Sequence, residues 1–179
     1  MRRAVIALLL APMLSLAQAR PARAAEPEGR YQAPVAYGVR LGGLLAYGAP
    51  AGSATAVGGG AYALFDQRSL LADVSADAWG GDKAFRLAGG LGVYWAALPQ
   101  ANHSVYLGGG ARLAYTKNGG EGAFGLSLHG AVGLLASRHW SPHVRLELAW
   151  FVDTMGEREK GNGPRHYANG PMATLGLGF

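Results

Sequence analysis

The chain has 179 residues, half of them hydrophobic, with 16 Lys and Arg against 11 Asp and Glu and no cysteine. Setting aside Arg2 and Arg3 in the leader described next leaves 14 basic against 11 acidic residues, a net +3 that is too small and too scattered for nucleic-acid binding. An exported fold without cysteine holds together without disulfides. Its 29 glycines follow no Gly-X-Y period and lie inside apolar segments, which excludes collagen-like and low-complexity classes.

The amino-terminus reads as a secretory leader over 1–19. Arg2 and Arg3 precede the apolar run Ala4 to Leu16, and the small-residue pattern Ala17-Gln18-Ala19 follows. The run is shorter than the ~20 residues of a membrane-spanning helix. Ala22-Arg23-Ala24 offers a second cleavage site. Charged, proline-bearing residues 20–33 read as a flexible lead-in, and 34–179 as one folded domain.

From there the chain divides into eight segments with a period of two, the pattern of half-buried strands. Val35 to Tyr47 presents Val35, Tyr37, Val39, Leu41, Leu45 and Tyr47 on one face and Arg40 on the other. The uncharged stretch Leu41 to Phe65 is long enough for a membrane helix, but it contains seven glycines and Pro50. At about 1 kcal/mol per glycine and ~3 for proline, a helix there starts at a heavy disadvantage, and a hairpin turning at Pro50 is expected. The second segment, Thr55 to Phe65, is too rich in Gly and Ala to assign a face. In the third, Leu70, Ala72, Val74, Ala76 and Ala78 oppose Asp73, Ser75 and Asp77. The fourth sets Phe85, Leu87, Leu91, Val93 and Trp95 against Arg86 and Tyr94. The fifth sets Val105, Leu107, Leu113 and Tyr115 against Tyr106 and Arg112. The sixth sets Phe124, Leu126, Leu128, Val132 and Leu134 against Ser127 and His129. The seventh alternates Val144, Leu146, Leu148, Trp150 and Val152 with Arg145, Glu147 and Asp153. The eighth, Met172 to Phe179, puts Ala173, Leu175, Leu177 and Phe179 on one face.

Eight strands return both ends of the domain to one side, with short links at Asp66 to Ser69, Pro99 to His103 and Ser137 to Pro142. The opposite side takes turns at Pro50, Gly81 and Gly119 and the long polar segment Thr154 to Gly170. Tyr47, Phe85, Tyr115, Phe124 and Trp150 are expected near one rim and Tyr37, Trp95 and Phe179 near the other, as two aromatic girdles. An arginine facing lipid near midplane costs ~2 to 4 kcal/mol, so in a membrane barrel the charged faces point inward. A soluble lipocalin-like or avidin-like barrel would reverse them, but its solvent face, filled out by residues such as Gly38, Gly42, Leu44, Ala88, Gly108 and Ala131, would be poor in charge and suit water badly.

The inward set Arg40, Asp73, Asp77, Arg86, Arg112, His129, Arg145 and Glu147, with Asp153 toward the outer mouth, is expected to form a charge-paired lumen. Asp77 and Arg86 should be cross-strand neighbours over a tight Gly80-Gly81 turn. A gated ion or small-solute path is the alternative use of the same charges. Glycine clusters such as Gly58-Gly59-Gly60 and Gly108-Gly109-Gly110 lack a following Lys-Ser/Thr and are not phosphate loops. The histidines have no metal-ligand spacing, and no cofactor is expected. Arg158, Lys160 and Arg165 make the long outer loop a candidate binding surface for lipopolysaccharide phosphates or a host or phage surface.

With its leader, eight alternating segments, loop asymmetry and terminal Phe179, the chain resembles the small outer-membrane β-barrel proteins, the OmpA-like and OmpX-like membrane domains. The resemblance implies an all-β, eight-stranded, antiparallel up-and-down transmembrane barrel in the bacterial outer membrane, monomeric and in contact with lipid and lipopolysaccharide. It also implies that the barrel-assembly machinery reads the terminal strand through Leu175, Leu177 and Phe179. Members serve as anchors, adhesins, resistance proteins or lipid A modifying enzymes. His139 and Ser141 have the His-x-Ser spacing of the lipid A deacylase, but Pro142 stands where that family has asparagine, so no enzyme activity is expected.

Overall fold

The structure is a computed structural model that describes residues 35–48, 52–81, 84–118, 121–138, 142–155 and 167–179. The leader, the lead-in, His139, Ser141 and the loop arginines and lysine named above lie outside these residues. Eight strands follow in chain order: β1 Val35–Gly48, β2 Gly52–Gln67, β3 Leu70–Gly80, β4 Ala84–Ala96, β5 Ser104–Asn118, β6 Glu121–Ala136, β7 His143–Met155 and β8 Tyr167–Gly178. Each pairs antiparallel with the next, and β8 returns to β1, so the sheet closes into a barrel with no free edge.

Register fixes the barrel's dimensions. Stepping from Ser104 through Leu135, Arg145, Gly176, Arg40, Gly60, Asp77 and Ala88 returns to β5 at Ala114, ten residues above the start. A stagger of that size over eight strands tilts them about 40° and gives a backbone radius of ~8 Å, an interior just wide enough for side chains. Each residue then climbs ~2.5 Å along the barrel axis.

The period of two sorts the sheet as the charges require. Leu41, Leu113, Phe124 and Val57 are more than 70% exposed on the outside, while Arg40, Arg112, Arg145 and Glu147 are at most 3% exposed inside. This is the reverse of a soluble barrel. The second strand, whose face the sequence left open, turns Ala54, Ala56, Tyr62 and Leu64 inward and Val57 and Phe65 outward.

Two expectations need correction. The last strand begins at Tyr167, not near Met172, because Pro171 fits within it. Pro171 pairs with Trp150 on β7, and its missing N–H faces β1. Trp150 does not join the outer girdle. It pairs with Gly130, six residues along β6 from Phe124, which places it roughly 12 Å deeper, near mid-height. Trp150 stands on an apolar face, and the alternation of β7 could not reveal its depth. Tyr115 and Phe124 do meet at the rim, their ring centroids 4.8 Å apart.

Candidate functional site

Among the described residues the lumen holds four arginines and four carboxylates, most of them tied between strands that are not neighbours, with one further pair, Arg145 and Glu147, along β7. Asp77 on β3 accepts two bonds from Arg40 on β1, from Nε at 2.7 Å and Nη2 at 2.5 Å, and a third from Arg112 Nη1 on β5 at 3.0 Å. Arg145 on β7 donates from Nη1 to Asp73 on β3 at 2.7 Å and from Nη2 to Glu147 at 2.5 Å. Arg86 on β4 makes a two-point contact with Asp153 on β7, both distances 3.0 Å, and donates to Ser127 Oγ at 2.9 Å. Thr116 adds a hydroxyl to Asp153 at 3.2 Å.

Asp77 and Arg86 therefore do not pair. The turn between β3 and β4 begins at Gly81, whose N–H donates to the Ala84 carbonyl, so the register sets Asp77 opposite Ala88 and Arg86 opposite Trp79. The expected pairing of Asp77 with Arg86 differs from this register by two residues. That shift leaves both side chains facing inward, so only their partners change.

Tyrosines fill the space between charges. Arg145 stands 5.0 to 5.4 Å from the ring centroids of Tyr62, Tyr94 and Tyr106. Its Nε donates to the Tyr106 oxygen at 2.8 Å, and that hydroxyl donates to Glu147 Oε2 at 2.9 Å. Tyr94 donates to Asp73 Oδ2 at 3.3 Å and lies 3.2 Å from His129 Nε2. Arg112 Nη2 is 3.4 Å from the same nitrogen, and a guanidinium only donates, so the His129 proton belongs on Nδ1. Glycines make the rings fit. A Cβ at Gly92 would stand 2.4 Å from the Tyr94 oxygen, and one at Gly133 would stand 2.3 Å from that of Tyr106.

Below this layer, at the end where β1 begins and β8 finishes, Leu64, Leu71, Ala96 and Leu135 form an apolar floor. Arg138, in the link between β6 and β7, closes it. Its guanidinium donates to both Asp66 oxygens, to the Arg68 carbonyl, to Pro99 O at 3.0 Å and to Leu98 O at 3.4 Å, joining three turns. Arg68 and Ser137 adopt left-handed φ of 65° and 55° to bring these turns together. Sequence reading placed Arg138 in the correct link and missed its role, because a turn arginine gives no signal of the partners it will find.

The terminal residues expected to guide assembly sit on the outside of the seam. Leu175 and Leu177 face outward on β8, and Phe179 exchanges both backbone bonds with Tyr37 at 2.7 and 3.0 Å. Among the described residues no group of three His, Asp or Glu could hold a metal ion.

A closed antiparallel eight-stranded barrel, apolar outside and charged within, defines an outer-membrane-type β-barrel. No protein-family model matches the sequence, and neither does any curated protein. Among solved structures the chain is similar to Neisserial surface protein A, at 16% identity and a TM-score of 0.59, covering 82% of this chain and 98% of that one. It is also similar to the N-terminal β-barrel domain of Pseudomonas aeruginosa OprF, at 10% identity and a TM-score of 0.51, with the same two coverages. Both are eight-stranded outer-membrane barrels, and this chain has their fold.

Proposed function

We propose that the protein is an integral outer-membrane barrel with a structural or surface-interaction role, whose lumen is a salt-bridged plug and not an open pore. The observation that carries this reading is the inversion of burial: leucine, phenylalanine and tryptophan side chains cover the outside while four arginines and four carboxylates are enclosed. In water such a surface would aggregate, whereas in hydrocarbon it is the stable arrangement. Balanced signs and ties across the lumen support a closed interior. The end with Val35 and Phe179 would then face the periplasm, with export by the leader and assembly through the terminal strand. Lipid and lipopolysaccharide are its surroundings, the loop bearing Arg158, Lys160 and Arg165 its candidate contact surface, and no catalytic step is assigned.

Cell fractionation with gel mobility before and after boiling tests the membrane reading. Recovery in the outer membrane with a heat-dependent shift is expected, and a soluble periplasmic protein without a shift overturns it. Planar-bilayer recordings test the plug. No steady conductance is expected, and a reproducible open state that is lost in Arg112→Ala or Glu147→Ala would establish the gated path instead.

A further inference from the structure

Trp150 is out of place on the outer wall. It is 51% exposed near mid-height, between Gly130 on β6 and Pro171 on β8, while Tyr47, Phe85, Tyr115 and Phe124 stand at one rim and Tyr37, Trp95 and Phe179 at the other. An indole favours the interface, where its N–H reaches water. Among the described residues the Trp150 nitrogen has no hydrogen-bond partner, and hydrocarbon offers none.

The outward glycines near mid-height are of two kinds. A Cβ at Gly59 would stand 2.2 Å from the Arg40 carbonyl oxygen and one at Gly109 would stand 2.3 Å from that of His129, so the barrel itself requires both glycines. A Cβ at Gly43 would meet nothing nearer than the Ala56 oxygen at 3.8 Å, and one at Gly130 nothing nearer than the Gly108 oxygen at 4.0 Å. Neither has a positive φ. Glycine weakens a strand, and nothing within the barrel accounts for these two. Both line the shallow apolar depression around Trp150, with Pro171 and Ala173.

Height relates the protrusion to the hollow. Gly43 pairs with Ala173, and Ala173 pairs with Leu148, two residues below Trp150 on β7. Each step from β7 to β8 and from β8 to β1 climbs ~3 Å along the barrel axis, so Gly43 lies within ~2 Å of the height of Trp150. Ala173 stands between them on β8. Copies in one membrane share orientation and depth, so a protrusion on one meets a hollow at its own height on the other.

We infer that the outer face of β7, β8 and β1 is a self-association surface: two copies meet across a two-fold axis at Ala173, and Trp150 of each lies over Gly43 of the other. One patch carries both protrusion and hollow, so the pair closes on itself. Within lipid, association depends on close packing and on hydrogen bonds, and the missing side chain at Gly43 lets an indole lie against the wall with its N–H toward a backbone carbonyl. A fluid acyl chain requires no missing methyl and gives the indole no acceptor. Contact from β6 to β1 over a band ~25 Å tall covers roughly 500 Å² per copy and ~1,000 Å² in all, the size at which specific interfaces begin. The inference goes beyond the role proposed above, sets a dimer in place of the monomer that the resemblance implies, and rests on the barrel lying in a membrane.

Energy transfer in lipid vesicles tests it. The chain has no cysteine, so Gln100→Cys, in an exposed turn at the terminal end, takes donor dye in one batch and acceptor in another. Heat-dependent gel mobility of the reconstituted protein verifies insertion, so a protein left outside the vesicles speaks against the membrane reading and not against the dimer. With insertion verified, transfer is expected to persist as lipid is added until chance encounters are negligible. Trp150→Ala and Gly43→Leu should each weaken association by about tenfold or more, as loss of an interface anchor does, while both keep the heat-dependent shift. On oxidation Ala173→Cys should cross-link to its own copy, and Leu91→Cys, 61% exposed as leucine on the opposite wall, should not. Transfer that fades with dilution as for a monomer, transfer that both substitutions leave intact, or cross-linking through Leu91→Cys equal to that through Ala173→Cys overturns the dimer.

Discussion

The lumen depends most on Asp77, since one carboxylate serves two buried guanidinium groups. Breaking a buried pair from one side leaves uncompensated charge and costs roughly 3 to 5 kcal/mol. Asp77→Ala strands Arg112 and leaves Arg40 only Glu147 at 3.9 Å, so it should lie toward the upper end of that range in urea unfolding from lipid vesicles. Asp153→Ala strands only Arg86, which keeps Ser127, and should cost less. Equal losses from the two would contradict the shared-carboxylate geometry. Gly133→Ala acts on the same layer by a different route. The added methyl meets the Tyr106 ring and hydroxyl, so Tyr106 must leave the position that joins Arg145 to Glu147. A loss of about 1 to 3 kcal/mol is expected, typical of overpacking. Charged residues of this kind were legible in the sequence because alternation placed each on the inward face. Their partners were not, since ties that cross a lumen depend on the stagger of eight strands and no local spacing encodes that.

At the level of elements, the sequence yielded all eight strands and the positions of the seven connections, because two-residue alternation and Gly, Pro, Asn and Ser punctuation are local signals. Depth and ends were harder. Trp150 read as a rim residue, and β8 read as starting five residues late, because Gly170 and Pro171 look like a loop until a neighbouring strand is seen to accept them. The clasp at the terminal end was not legible either. Arg138 joins the β2–β3, β4–β5 and β6–β7 connections, and its planar fork suits several acceptors at once. Arg138→Lys should therefore rescue little of what Arg138→Ala loses. Both should destabilise the folded barrel by about 2 to 4 kcal/mol in thermal gel-shift assays, since each leaves Asp66 and several carbonyls without their donor. Full rescue by lysine would mean that charge near Asp66 is the whole contribution.

For the whole molecule, membrane residence makes a prediction that varies with height along the wall, and a soluble barrel would not share it. Outward side chains divide into a band between two aromatic rims, one at Tyr47, Phe85, Tyr115 and Phe124 and the other at Tyr37, Trp95 and Phe179. At ~2.5 Å of climb per residue these rims stand roughly 25 Å apart, the height of a typical outer-membrane apolar band. Leu148 is outward, 61% exposed and close to the middle of that band, whereas Phe124 is 73% exposed at its edge. In a bilayer Leu148→Arg should cost ~2 to 4 kcal/mol and Phe124→Arg only ~0 to 1, because a rim arginine reaches headgroups and a midplane one does not. Arg substitutions at Leu128, Leu146 and Leu175 should fall between these values according to height, giving a profile with one maximum. If the protein instead lived in water, an exposed leucine exchanged for arginine would be nearly neutral at every height, and the same unfolding series would come out flat.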